Sequence, residues 1–161
     1  MSKSDRATPS RLTILSGGQT GTDRAALDAA LQTGTPCGGY CPRGRRAEDG
    51  VIAERYPLIE LPSRSYRART KKNVEESDGT LVVSFGEPDG GTAYTIYCAE
   101  RAGKPLLVID AAVTTIDEAV RRLAEFVGGH GIGRLNIAGP RASNQPGIYD
   151  YTHKLLIAYL S

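Results

Sequence analysis

The chain has 161 residues, a formal net charge of +2, 40% hydrophobic and 24% charged residues. That is the size of one ordinary domain, about 100–200 residues, at average globular composition. It excludes a strongly basic nucleic-acid module. No run reaches the roughly 18 apolar residues of a membrane span, so neither nucleic acid nor membrane is expected as a partner.

Residues 1–11, MSKSDRATPSR, lack the apolar segment of a signal peptide and read as a flexible polar tail before one domain over 12–161. Three cysteines without secretory context point to a reduced, cytoplasmic chain. Leu12–Leu15 is a short β-type run that stops at a glycine pair. Thr22–Thr33 reads as a helix, with Arg24, Asp28 and Gln32 as its polar stripe and Gly34 ending it. Cys37–Cys41 and Leu58–Leu61 are strand candidates flanking the loop PRGRRAEDG. A helix is expected over roughly Ser65–Glu76, then a buried strand Thr80–Phe85 and a helix from about Thr92 to Ala102. Pro105–Asp110 is the next buried strand. Thr115–Val127 is the cleanest helix, with Thr115 and Glu118 as a capping box and Gly128–Gly129 closing it. Arg134–Ala138 is a last strand and Ile148–Leu160 a last helix.

Short apolar strands alternating with amphipathic helices define an α/β fold: a doubly wound, mostly parallel, Rossmann-like sheet of about five or more strands between helical layers. In such sheets ligands bind beyond the carboxyl ends of the strands. The first such loop is Ser16-Gly17-Gly18-Gln19-Thr20-Gly21. Its glycines admit close approach of a ligand, and the following helix N-terminus attracts an anion such as phosphate. The order GGxxG matches neither the dinucleotide fingerprint GxGxxG nor a Walker loop. The second loop ends in Ser84 and runs to Gly90, Gly91, Thr92 and Ala93. The third, Gly139-Pro140-Arg141, offers an arginine fork for phosphate.

Charge is uneven: residues 1–72 carry 13 Lys/Arg against 7 Asp/Glu, and 73–161 carry 7 against 11. Arg43, Arg45 and Arg46 fall within four positions. They read either as a cationic flap over the glycine loops or as a solvated basic segment. Arg69 and Asn73 stand at i, i+4 and can face the same way. Cys37, Cys41, His130 and His153 lack partners at metal-ligand spacing, so no protein-ligated metal is expected. No nucleophile–base pair stands out, and no catalytic residue is assigned.

The segments SGGQTGTDRAALDAA (16–30), CPRGRRAEDG (41–50), RTKKNVEESDGTLVVS (69–84), GGTAYTIYCAE (90–100) and NIAGPRASNQPGIY (136–149) together resemble the molybdenum carrier family, which includes the molybdenum cofactor carrier proteins. That family is related to the LOG-type, lysine-decarboxylase-like phosphoribohydrolases. The resemblance implies a Rossmann-like fold that binds molybdenum cofactor, a phosphorylated pterin bearing molybdate, and stores, protects or delivers it. It implies molybdoenzymes or cofactor-biosynthesis proteins as partners. Gly17, Gly18, Gln19, Thr20 and Gly21 match its first loop, and Gly90, Gly91, Thr92 and Ala93 its second. With this match the arginine flap is expected to bind ligand. The phosphoribohydrolases carry PGGxGTxxE, whose Glu supports cleavage; here Thr95 falls at that position. Hydrolysis then needs another carboxylate, such as Asp23, Glu48 or Asp49. A nucleotide-binding LOG-like enzyme and a nucleotide-sensing module are the alternatives. Finally, Ile148, Tyr151, Leu155, Leu156, Tyr159 and Leu160 present more apolar surface than one packing face needs, which predicts a homo-oligomer.

Overall fold

The computed structural model describes residues 12–161, and the tail expected over 1–11 lies outside them. The chain runs β1 (Thr13–Leu15), α1 (Thr22–Thr33), β2 (Cys37–Gly38), β3 (Tyr40–Cys41), β4 (Arg46–Ala47), β5 (Gly50–Val51) and β6 (Ile59–Glu60). It continues through α2 (Tyr66–Glu76), β7 (Gly79–Ser84), α3 (Gly90–Ala102), β8 (Leu106–Asp110), α4 (Ile116–His130), β9 (Arg134–Ala138) and α5 (Ile148–Leu160).

Five strands form one parallel sheet in the order β2-β1-β9-β7-β8. The last strand is thus central, pairing Ile14 with Leu135 on one side and Leu81 with Ile137 on the other. This is the α/β Rossmann-like architecture that the alternating pattern predicts. Two short additions sit beside it: a parallel β3–β6 pair and an antiparallel β4–β5 hairpin. The hairpin lies inside the segment expected to be a loop. Two-residue strands leave no periodicity to read.

The two faces of the sheet differ chemically. Leu81, Val83, Leu135, Ile137 and Ile109 pack with α1, α4 and α5 in the main core. Side chains alternate along a strand, so Thr80, Ser84 and Asn136 belong to the opposite face, toward α2 and α3, and all three are buried. Asn136 donates to Thr80 there at 3.3 Å. The α2–α3 face of the sheet thus carries its buried polar side chains.

Capping follows the sequence with one correction. Ser65 accepts from the Arg67 and Ala68 amides, and Thr115 accepts from Glu118 N–H at 3.2 Å. The helix expected to close at Gly128–Gly129 instead runs to His130. It ends at Gly131 (φ 62°), where the Ile132 amide reaches Val127 O and the Gly131 amide reaches Gly128 O, the Schellman pattern. The apolar residues of α5 are also accounted for within the chain. Ile148, Leu155, Leu156 and Leu160 are buried in the main core, with Tyr151 and Tyr159 packed against it. Burial worth about 1.5–3 kcal/mol per side chain is realised there, so the excess surface on which the expected oligomer rested is not present.

Candidate functional site

The carboxyl ends of β1, β9 and β7 bring the three loops together. An inner cavity of about 110 Å³ lies between them, α2 and α3, lined among others by Gly17, Gln19, Arg69, Asn73, Thr92 and Arg141. An outer cavity of about 600 Å³ adjoins it, lined by Ser84, Phe85, Glu87, Gly90 and Gln145. Asp89, Thr92, Pro140 and Asn144 line both. The inner cavity alone is below the roughly 300–1,000 Å³ of small-molecule sites; the outer one falls within it.

The first loop reaches this site, but its glycines face protein. A Cβ on Gly17 would stand 2.0 Å from Arg69 Nη1, so the missing side chain is the space in which that guanidinium lies. Gly18 has φ +81°, and its Cβ would meet Leu58 Cδ1 at 2.6 Å. Gly21 abuts Pro140 O of the third loop in the same way. The loop amides are largely spent as well: Gly18 N–H donates to Ser16 Oγ, Gln19 N–H to Asp23 Oδ2, Thr20 N–H to Gln19 Oε1 and Thr22 N–H to Pro140 O.

Behind this loop is a buried ion pair, Arg69 Nη1 to Asp23 Oδ2 at 3.0 Å. Burial pushes the Asp23 carboxyl above its usual range, and Arg69 pulls the other way. Ser16 Oγ ties the loop down by donating to Asp23 O.

The second loop is different. Asp110 Oδ1 holds it by accepting from Gly86 N–H and Ala112 N–H, which keep the Asp110 carboxyl below its ordinary range. At the α3 N-terminus nothing stands within 4 Å of where a Cβ on Gly90 or Gly91 would lie. Asp89 occupies the N-cap position, yet its side chain makes no capping bond. Ser84 Oγ and Thr22 Oγ1 are buried with no hydrogen-bond partner. Unpaired buried hydroxyls are uncommon and call for an explanation.

Cations ring the inner cavity around one aromatic. Tyr66 carries Arg46 at 4.4 Å, Arg69 at 5.5 Å and Arg141 at 5.9 Å from its ring centre, and Arg67 stacks on Tyr94 at 4.0 Å. Arg141 is bound only loosely, its Nη1 being 3.8 Å from Glu48 Oε1.

The other expected site residues sort by what their donors do. Arg45 turns inward on its own segment, donating to the carbonyls of Ile52, Ala53, Tyr56 and Leu58. The structure does not bring it to the cleft. Arg46 donates twice to Arg64 O and touches the cleft through Tyr66. Arg43 is exposed and lines neither cavity. Asn73 lines the inner cavity, but its amide is used by both backbone groups of Tyr40. Thr20 faces Glu48 and the Ala142 amide. Ala93 is exposed one residue beyond Thr92, and its amide returns to Asp89 O.

The carboxylates weighed for hydrolysis are engaged: Asp23 with Arg69, Asp49 with both Arg24 Nη atoms, and Glu48 with Ser143, Thr20 and Arg141. Thr95 is buried, and its hydroxyl donates to Gly91 O. Sequence reasoning left out Arg67, Tyr94, Asn144 and Asp89 from the site. Arg67 and Tyr94 are a cation and an aromatic on two helices, and only the helix crossing pairs them. Among the described residues no group of three or more His, Cys, Asp or Glu could hold a metal ion, and no helix is long and apolar enough to cross a membrane.

A parallel α/β sheet with a polar cleft at its carboxyl edge, a cationic wall and an open helix N-terminus is a Rossmann-like fold organised around a small-ligand cleft. The chain belongs to the circularly permutated YpsA SLOG family, whose model matches residues 14–160. It is similar, at 46% identity and a TM-score of 0.93, to the 1.45 Å crystal structure of a "putative molybdenum carrier protein" from Syntrophus aciditrophicus, over 99% of this chain and 100% of that one. No curated protein matches it.

Proposed function

We propose that the chain binds molybdenum cofactor as cargo and stores, protects or delivers it, with molybdoenzymes or cofactor-biosynthesis proteins as recipients. The observation that carries this reading is the open α3 N-terminus at Gly90–Gly91, facing the same cleft as Arg67, Arg69 and Arg141. Helix N-termini attract phosphate through free amides and the helix dipole. The residues fit such a cargo. Gly91 and Thr92, both lining the inner cavity, supply donors for phosphate or molybdate oxygens. Arg141 and Arg67, both lining the inner cavity, supply charge. The name of the Syntrophus neighbour points the same way.

Native mass spectrometry and metal analysis of the purified protein, followed by titration with cofactor released from a molybdoenzyme, test the reading. Gly91→Asp is the matched variant. Its side chain enters open space, and a carboxylate in the first turn suits the helix dipole. The variant is therefore expected to fold normally and to lose the cofactor by like-charge repulsion. Unchanged binding by Gly91→Asp, or no binding by the wild type, overturns the reading. The same cleft suits a nucleoside monophosphate, and turnover separates the two. With Thr95 where the related LOG-type phosphoribohydrolases carry Glu, free base is not expected from AMP at enzymatic rates, about 1 per second or more. A chromatographic assay for adenine decides it.

A further inference from the structure

The two halves of the cleft differ in charge, the cations lining only the inner one. The inner cavity is walled by Arg67, Arg69 and Arg141, with Asp23 paired to Arg69 and Asp89 on the border that it shares with the outer one. The outer one has Glu87 and Asp89 in its lining and no cation. An anion placed there would meet two carboxylates. Asp89 is at an N-cap, yet its carboxylate accepts nothing from the helix, whereas the Ser65 and Thr115 side chains do cap theirs. Ser84, 1% exposed, opens into the same cavity with its hydroxyl unpaired. Phe85, 51% exposed, adds an apolar ring at the rim. The buried Ser84 hydroxyl calls for a partner, and the exposed carboxylates of Glu87 and Asp89 beside it only accept, which suits a ligand that donates hydrogen bonds.

We propose that the outer cavity holds a planar heterocycle presenting two adjacent N–H donors, the 2-amino-4-oxopyrimidine edge shared by pterins and guanine, with Asp89 accepting both. This deepens the cargo reading above and rests on it. The ligand then lies across the cleft with its anionic end against the arginines and its donor edge on Asp89. A carboxylate accepts at both oxygens and donates at neither. Adenine offers one donor beside one acceptor, so its ring nitrogen would face a carboxylate oxygen. Hypoxanthine keeps a single N–H. Rejection here comes from an unpaired acceptor, the more discriminating kind of selectivity.

The experiment is a calorimetric titration of the full chain with GMP, IMP, AMP and a pterin monophosphate, which share the phosphate and differ in the edge. GMP and the pterin are expected to bind about ten- to a hundredfold more tightly than AMP, with IMP between, as two charge-assisted bonds allow. The two donor-edge ligands also tell which ring system the cavity prefers. Asp89→Asn is the decisive variant. Its amide pairs one acceptor and one donor with adenine's complementary edge, so the order should invert toward AMP, which a merely structural residue would not produce. Equal affinities for GMP and AMP overturn the proposal and leave the phosphate cleft standing. An order unchanged in Asp89→Asn, or lost instead in Glu87→Gln, overturns the assignment to Asp89. Failure of all four to bind overturns this inference together with the cargo reading.

Discussion

Arg45 and Arg141 show why a basic residue in a ligand-facing segment is not yet a ligand residue. Arg45, with its backbone at φ 50°, spends its guanidinium on four carbonyls of the 52–58 segment. Removing it strands those acceptors. Arg45→Ala is therefore expected to lower stability by about 2–3 kcal/mol, the order of one or two charge-assisted bonds. Ligand affinity should move by less than about threefold. Arg141, 40% exposed and 3.8 Å from Glu48, holds little of the fold, since such pairs are worth about 0–1 kcal/mol. Arg141→Ala should leave the melting temperature within about a degree and weaken phosphate-ligand binding about ten- to a hundredfold at low salt. Added salt should shrink that loss. Denaturant titration beside calorimetry separates the two outcomes; the reverse pattern would place the cationic site at the flap. Glycine is ambiguous in the same way. It serves phosphate approach and tight packing alike, so the SGGQTG run names the right corner of the fold without naming its purpose. At Gly18 the neighbour is Leu58, and an acidic side chain there would be buried against aliphatic groups rather than set before a ligand.

At the level of elements, periodicity made most of the fold legible. Thr22–Thr33, Arg134–Ala138 and Ile148–Leu160 have the bounds their patterns predict, because the two helices each bury one face in the main core and the strand is a short run buried on both faces. What escaped was short or not local. The Arg46–Ala47/Gly50–Val51 hairpin has two residues per strand. Gly39 splits the strand expected over Cys37–Cys41 where the chain crosses Ser16. The end of α4 was misplaced because two glycines resemble a stop signal, although both keep helical backbone there. Nothing lies within 4 Å of a Cβ at Gly128 or Gly129, and neither has a positive φ. Each should gain about 0.5–1 kcal/mol on replacement by alanine, through reduced freedom of the unfolded chain. Gly128→Ala and Gly129→Ala should each raise the melting temperature by a few degrees. A decrease in either would mean that the last turn of α4 needs the freedom of glycine.

Across the whole molecule, one carboxylate ties together three segments distant in sequence. Glu48, on the β4–β5 hairpin, accepts from Ser143 N–H at 3.1 Å, from Ser143 Oγ at 2.6 Å and from the Thr20 hydroxyl, while its own amide donates to Gln19 Oε1 at 2.8 Å. First loop, hairpin and third loop are therefore joined in one rim. The hydrogen bonds from Ser143 and Thr20 hold the Glu48 carboxyl below its ordinary value of 4.5. A depressed carboxyl pKa stabilises the ionised, folded arrangement. Its contribution is fully present above the unfolded value and is lost as pH falls through the lowered native value. The rim should thus be tight at neutral pH and loosen in acid before the core, whose buried aliphatic residues do not titrate. Protection of the Ser143 and Ala142 amides, taken relative to their intrinsic exchange rates, is expected to fall below about pH 4.5, with protection in β7 and β9 unchanged. Glu48→Gln should show fast rim exchange already at pH 7 and weaker ligand binding, because Arg141 and the α3 N-terminus would face a less fixed opposite wall. Its melting temperature should fall little, since Glu48 lies at the surface. If Ser143 exchanges at the same rate in wild type and Glu48→Gln at pH 7, the carboxylate does not hold the rim and the loops stand on their own backbone bonds.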